Sequence, residues 1–322
     1  MPARIVAPGL GAVSACCDEG EGSPYLLPGE LFASISFRYL HSFRDFHGDD
    51  EVPTPSPRPL FADTHVYGFL LTAIYQMTPR FSLTLDIPIQ SGTRRTYYEH
   101  DPFTFRHLYT MEASGVGDLR LAASGWLFDP QKYRTGNISL GLGVKVPSGN
   151  DDAMDISHRP TGPILRPVDP AIQPGNGGWG IVFEVDAFQR LYKRTYAYLQ
   201  GAYIAEPRDR NDTEQPLGDV PIPGISNYWN KKFKFNSVPD SYLGRAGVGY
   251  LIWPKYGFAL TIGSRIEGVP DEDLIGGSFS SSRFTGYSVY VEPGLTIARD
   301  RYTFNVTGPV AGLSLRRPRH RY

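Results

Sequence analysis

Apolar and polar residues alternate with a period of two along segment after segment of this chain, and that period admits β-strands rather than amphipathic helices. Phe81 to Gln90 is the clearest case: Phe81, Leu83, Leu85, Ile87 and Ile89 share one face, and Ser82, Thr84, Asp86 and Gln90 share the other. Such strands come in pairs joined by tight turns, and a long polar loop follows each pair. Short connections at one rim and long ones at the other are the layout of a transmembrane β-barrel.

The walk along the chain yields eleven strands. Leu31 to Tyr39 turns Leu31, Ile35 and Phe37 outward and Arg38 inward, and a loop rich in proline follows. His65 to Tyr75 pairs with Phe81 to Gln90 through Met77 to Arg80, with Asp86 inward. Asp118 to Phe128 and Asn137 to Pro147 form the next pair; Asp118, Arg120 and Lys145 lie on their inner face, beside small residues that leave space. Trp179 to Leu191 and Thr195 to Ala205 meet at Tyr192 to Arg194, with Glu184 and Asp186 inward. Tyr242 to Trp253 and Tyr256 to Glu267 carry Arg245, Arg265 and Glu267 inward, and Tyr287 to Ile297 with Tyr302 to Thr307 adds Glu292. Single-chain bacterial barrels have an even strand number, so the expectation is an all-β, antiparallel transmembrane β-barrel of about twelve strands, the final one missing or unread. The expected division is an N-terminal segment over 1–28, the barrel over 29–315 and a basic tail over 316–322.

Composition narrows the class further. No apolar run reaches the ~18 residues that a membrane helix requires, and a slightly negative mean hydropathy suits a barrel, in which only alternate residues meet lipid. With 32 basic and 33 acidic residues, no global field recruits nucleic acid. The two cysteines, Cys16 and Cys17, are adjacent, so there is neither a disulfide framework nor a zinc spacing. Val13-Ser14-Ala15-Cys16 is lipobox-like, which leaves two readings of the N-terminus: Cys16 is acylated, or residues 1–28 are the remnant of an export signal. Aromatic residues near strand ends, among them Tyr75, Trp126, Tyr192, Tyr250 and Trp253, are expected to form interfacial girdles. A soluble sandwich shows the same alternation, so the pattern alone leaves that alternative open.

Four stretches carry a resemblance: Asp118 to Leu121, Gly143 to Gly149, Val291 to Ile297, and above all Asp169-Pro-Ala-Ile-Gln-Pro-Gly175 before Trp179. Over residues 60 to 315 the chain resembles the outer-membrane transporter family of the "MetA-pathway of phenol degradation" type, distantly similar to long-chain fatty-acid transporter barrels. The resemblance implies a barrel in the outer membrane of a Gram-negative bacterium, porin-like, taking up small hydrophobic molecules and needing no cofactor.

No catalytic constellation emerges from the spacing of the seven histidines, so the chain is not expected to be an enzyme. His41, His47 and the acidic run Asp49 to Glu51, and likewise Asp151, Asp152 and Asp155, match no defined metal loop; solvated loop charge is expected there, and no metal is assigned. The inward charges are read either as the lining of a narrow polar path or as salt-bridged packing. Tyr97, Tyr98, Trp179, Tyr228 and Trp229, on or beside the loops over 91–115, 148–178 and 206–240, are expected either to contact an apolar ligand or to anchor the loops over the mouth. The expected partners are outer-membrane lipid and a small hydrophobic ligand. A plugged structural or surface-interaction barrel and an outer-membrane lipid-modifying enzyme stand as alternatives.

Overall fold

The computed structural model describes residues 25–43, 46–47, 50–51, 62–98, 107–214, 235–277, 285–299, 302–308 and 310–315. Its strands, in chain order, are β1 (Leu31–Ser42), β2 (Phe46–His47), β3 (Asp50–Glu51), β4 (Ala62–Gln76), β5 (Phe81–Tyr97), β6 (Leu108–Val116) and β7 (Leu119–Trp126). There follow β8 (Gly136–Val146), β9 (Met154–Ser157), β10 (Ile164–Pro167), β11 (Gly180–Tyr192), β12 (Thr195–Ala205), β13 (Arg210–Glu214) and β14 (Phe235–Ser237). The last five are β15 (Ser241–Trp253), β16 (Phe258–Val269), β17 (Gly286–Arg299), β18 (Tyr302–Thr307) and β19 (Val310–Leu315).

One antiparallel sheet dominates, in the order β1-β4-β5-β7-β8-β11-β12-β15-β16-β17-β18, and it coils into a half-barrel. Two positions in this sheet are shared. β6 and β7 both lie along β5, and β18 and β19 both lie along β17. The breaks have one cause, because each sits opposite a proline inside the facing strand. Pro88 of β5 and Pro293 of β17 have no N–H to give the ladder, and their carbonyls are taken instead by Gly117 N (2.8 Å) and Gly308 N (3.0 Å) in the gaps. The sheet therefore has the eleven positions read from alternation. β19 extends the last position beyond Thr307, the end that alternation predicts for it. Among the described residues no ladder joins β1 to β18 or β19, and no twelfth strand is seen.

Tight turns close β4–β5, β11–β12 and β15–β16 at one rim; at β15–β16, Gly257 takes a left-handed φ of +57° after the 3-10 turn Pro254–Tyr256. The opposite rim carries the long connections. There β5 and β6 run further than expected, so most of the expected 91–115 loop is ladder from Ile89↔Val116 to Tyr97↔Leu108. Alternation does not mark this extension because Gly92 to Thr96 has no apolar face of its own; on the concave side Gly92 meets Ile172 and Arg94 meets Asp169.

The two faces differ sharply. Across its middle the convex face of β1, β4, β5, β7, β8, β11, β12 and β15 to β18 carries no charged residue at its outward positions among the described residues; Asp63 of β4 and Arg95 of β5 face outward only beyond Tyr67, at the long-loop rim. This middle band is apolar and open, as at Ile35 (75% exposed), Leu142 (59%) and Ile262 (57%). Tyr67 and Tyr75 on β4, and Tyr242 and Tyr250 on β15, bracket this band eight residue steps apart. Eight steps are about 27 Å along a strand, or about 21 Å of height at a tilt near 40°.

Candidate functional site: the concave face and its two plugs

The expected inward residues lie on the concave side, where their neighbours fall into three layers. At the short-turn rim the layer is apolar. Tyr25, just ahead of β1, enters between Trp126 (ring centroids 5.1 Å, edge-on) and Phe188 (5.9 Å), joining Tyr196, Leu251, Ala259 and Ala298 in one buried cluster. Tyr196 lies flat across Gly249, where any Cβ would collide with its ring. Tyr25 donates its hydroxyl to the Tyr133 carbonyl and accepts from Asn137 Nδ2 (3.0 Å); burial pushes its pKa up to about 12. Trp126 thus points inward and is no part of a lipid-facing girdle. Its position near a strand end was legible, but its parity on β7, shared with Arg120 and Ala122, puts it inside.

The middle layer is charged, and most of its charges are ion-paired. Arg120 reaches Asp86 (3.3 Å), which also accepts from Thr72 Oγ1 (2.5 Å). Asp186 accepts from Gln200 Nε2 (2.9 Å), and Glu184 sits over Gly141 on the neighbouring strand. On the other wall Arg245 and Arg265 are direct cross-strand partners, an arrangement that repels. Glu292 offsets it by bonding Arg245 (2.8 Å) and lying 3.6 Å from Arg265. Arg265 also bonds Glu267, which in turn holds Arg38 at 2.7 Å. Arg38 is on β1 and Glu267 on β16, far apart in the sheet order. Only coiling of the sheet brings these two side chains together.

The upper layer is made by the β8–β11 connection, which folds inward. Ile172 is fully buried against Gly92, where an added Cβ would lie 2.8 Å from its Cγ2. Val168 and Ile172 pack with Tyr109 and Met111 of β6, and Tyr98 supports this cluster. Arg94 pairs with Asp169 (3.2 Å), and Gln90 Nε2 donates to the Gln173 carbonyl (3.2 Å). Beside them Lys145 is clamped by Asp118 (3.1 Å), Glu206 (2.7 Å) and Asn176. Asp118 lies in the gap between β6 and β7 and also accepts from Gly149 N (3.0 Å) and Asn176 N (3.1 Å), so it holds the inserted loop in place. Burial raises the Glu206 pKa, an effect that Lys145 and Asn176 offset only in part. The Asp169 to Gly175 stretch singled out in the sequence is the body of this plug.

Of the loop aromatics, Tyr98 stacks on His158 (5.3 Å) and touches Tyr109 and His107, so it anchors the inserted loop. Tyr97 ends β5 half-buried, Trp179 is exposed ahead of β11, and Tyr228 and Trp229 lie outside the described residues. His47 and Asp49 to Glu51 have no described side chains. Cross-strand register instead brings His41 to Asp63 and His65, a grouping that linear spacing could not reveal. The hydrogen-bond partners of these histidines are Asp63 and Tyr39, neither of which is a serine.

The arrangement defines a class: an antiparallel coiled sheet with an apolar convex face and a concave face filled by paired charges and an inserted loop. No family model matches the chain, and no curated protein matches it. Among solved structures, the crystal structure of an outer membrane channel from Pseudomonas putida F1 aligns over 93% of this chain and 94% of that one, at 16% identity and a TM-score of 0.49. That likeness is too distant to speak to function.

Proposed function

We propose that the chain is an outer-membrane β-barrel for passive or gated uptake of small molecules, shut in the state seen here by the inserted loop at one end and the Tyr25 layer at the other. The observation that carries the membrane assignment is the uncharged apolar band across the convex face, between its tyrosine rims. Eleven strand positions about 4.8 Å apart over about 27 Å of strand give an apolar envelope on the order of 1,400 Å², several times what a water-soluble monomer leaves open. The proposed cargo has an apolar body, since the aromatic and aliphatic clusters in both plugs suit one. The charge pairs between them would form the polar constriction.

The pairing of those charges also favours a second reading, a permanently plugged structural barrel. Solute flux into liposomes separates the two. Wild type is expected to be nearly closed, and Tyr25→Ala with Ile172→Ala to raise flux of small aromatic solutes at least tenfold with heat-modifiable mobility retained. A folded double variant without flux points to the structural barrel. A chain that folds and stays soluble without detergent overturns the membrane assignment.

A further inference from the structure

We propose that His41, Asp63 and His65 form a binding site for a divalent transition metal of the zinc type on the outer surface of the long-loop rim, clamping β1 to β4. The ladder pairs His41 directly with His65, one rung beyond the Tyr39↔Tyr67 pair on the same outward face. The two imidazoles stack with centroids 4.2 Å apart and planes 11° from parallel, which sets their Nε2 atoms side by side. Both Nε2 atoms converge on Asp63 Oδ1, at 2.8 Å from His41 and 3.4 Å from His65, and one ligand atom from each of the three residues lies within 4.8 Å of the others.

These distances fit a tetrahedral ion. Bonds of about 2.0–2.1 Å to nitrogen and oxygen place neighbouring ligand atoms about 3.3–3.4 Å apart. The His65–Asp63 separation already has that value, and His41 needs to withdraw by about half an ångström by the same geometry. Two imidazoles and one carboxylate suit zinc, copper or nickel and disfavour calcium and magnesium, which take oxygen ligands. All three residues are partly open, so water can complete the fourth position. The hydroxyl of Tyr39 lies 2.8 Å from His65 Nδ1. It would accept the Nδ1–H once Nε2 gives its lone pair to the metal, the outer hydrogen bond that orients a ligating imidazole. Joining an edge strand to its neighbour at the end of their ladder gives the ion a mechanical role where a sheet frays most readily.

The test uses the full chain folded in detergent micelles, titrated with Co²⁺ for its visible spectrum and with Zn²⁺ against a chromophoric chelator. One equivalent is expected to bind, with weakening of at least tenfold in His41→Gln/His65→Gln and separately in Asp63→Asn. Tyr39→Phe, which leaves the ligands intact, is expected to weaken binding about tenfold. Zn²⁺ should also raise the temperature of the heat-modifiable transition in wild type and not in the double variant. Absence of stoichiometric binding to wild type overturns the site. So does equal binding by the folded double variant, which would place the metal on loop histidines.

Discussion

Placing a positive charge at the centre of the convex face tests the membrane assignment where the geometry is best defined. Ala246 lies on β15 four steps from both Tyr242 and Tyr250, and its neighbours across the ladder are Leu199 and Ser264. Four steps are about 14 Å along the strand, or about 10 Å of depth at a 40° tilt, more than a snorkelling arginine spans in comfort. Ala246→Arg removes almost no packing, so its cost reports the surroundings of the new charge. In a bilayer that cost is about 2–4 kcal/mol at mid-depth, and it falls to about 0–1 kcal/mol at the interface. Ile252, at the register shift two residues beyond Tyr250 and so at the edge of the band, provides the interfacial control through Ile252→Arg. The assay is reversible urea unfolding of the chain in phosphatidylcholine vesicles, followed by tryptophan fluorescence. Equal costs at the two positions, or a stabilised and detergent-independent Ala246→Arg protein, would refute the assignment of this face to lipid.

Further expectations concern the concave face. Glu292→Gln leaves Arg245 and Arg265 facing each other without their shared carboxylate, and should cost about 3–5 kcal/mol; Arg38→Gln, which breaks a half-exposed pair while Glu267 keeps Arg265, should cost about 0–1 kcal/mol in the same urea titration. The Glu206 carboxyl is raised above its unfolded value, so just above pH ~4.3 the folded chain holds a proton that the unfolded chain has released. Stability should therefore fall as pH rises through that window, and the difference in unfolding midpoint between wild type and Glu206→Gln should widen with pH; a flat difference would contradict the burial argument. At the other plug, the Tyr25 hydroxyl stays protonated to about pH 12 when folded but ionises near pH 10 when unfolded. The stability it contributes should thus drain between these values, seen as a steeper alkaline loss in wild type than in Tyr25→Phe.

Much of the architecture was legible because period two is a local property. Each strand's alternation fixes which side chains share a face, whatever the partner strand is, and so Arg120, Glu184 or Glu292 could be set opposite the apolar residues from sequence. Legibility failed where alternation lapsed. Gly92 to Thr96 and Val310 to Leu315 extend strands without a simple apolar face, and Trp126, whose nearness to a strand end suggests a girdle, lies inside by its parity on β7.

The sequence by itself determined the strands, their two faces and their long and short rims, since these follow from side-chain direction and turn chemistry along the chain. Only the tertiary structure decided which charges meet. Arg245 faces Arg265 through register, Arg38 finds Glu267 through the coiling of the sheet, and His41 joins Asp63 and His65 through cross-strand pairing. The burial of Ile172 against Gly92 belongs to the same group. Contacts of this kind join residues tens to hundreds of positions apart, and no local periodicity encodes the distance between them.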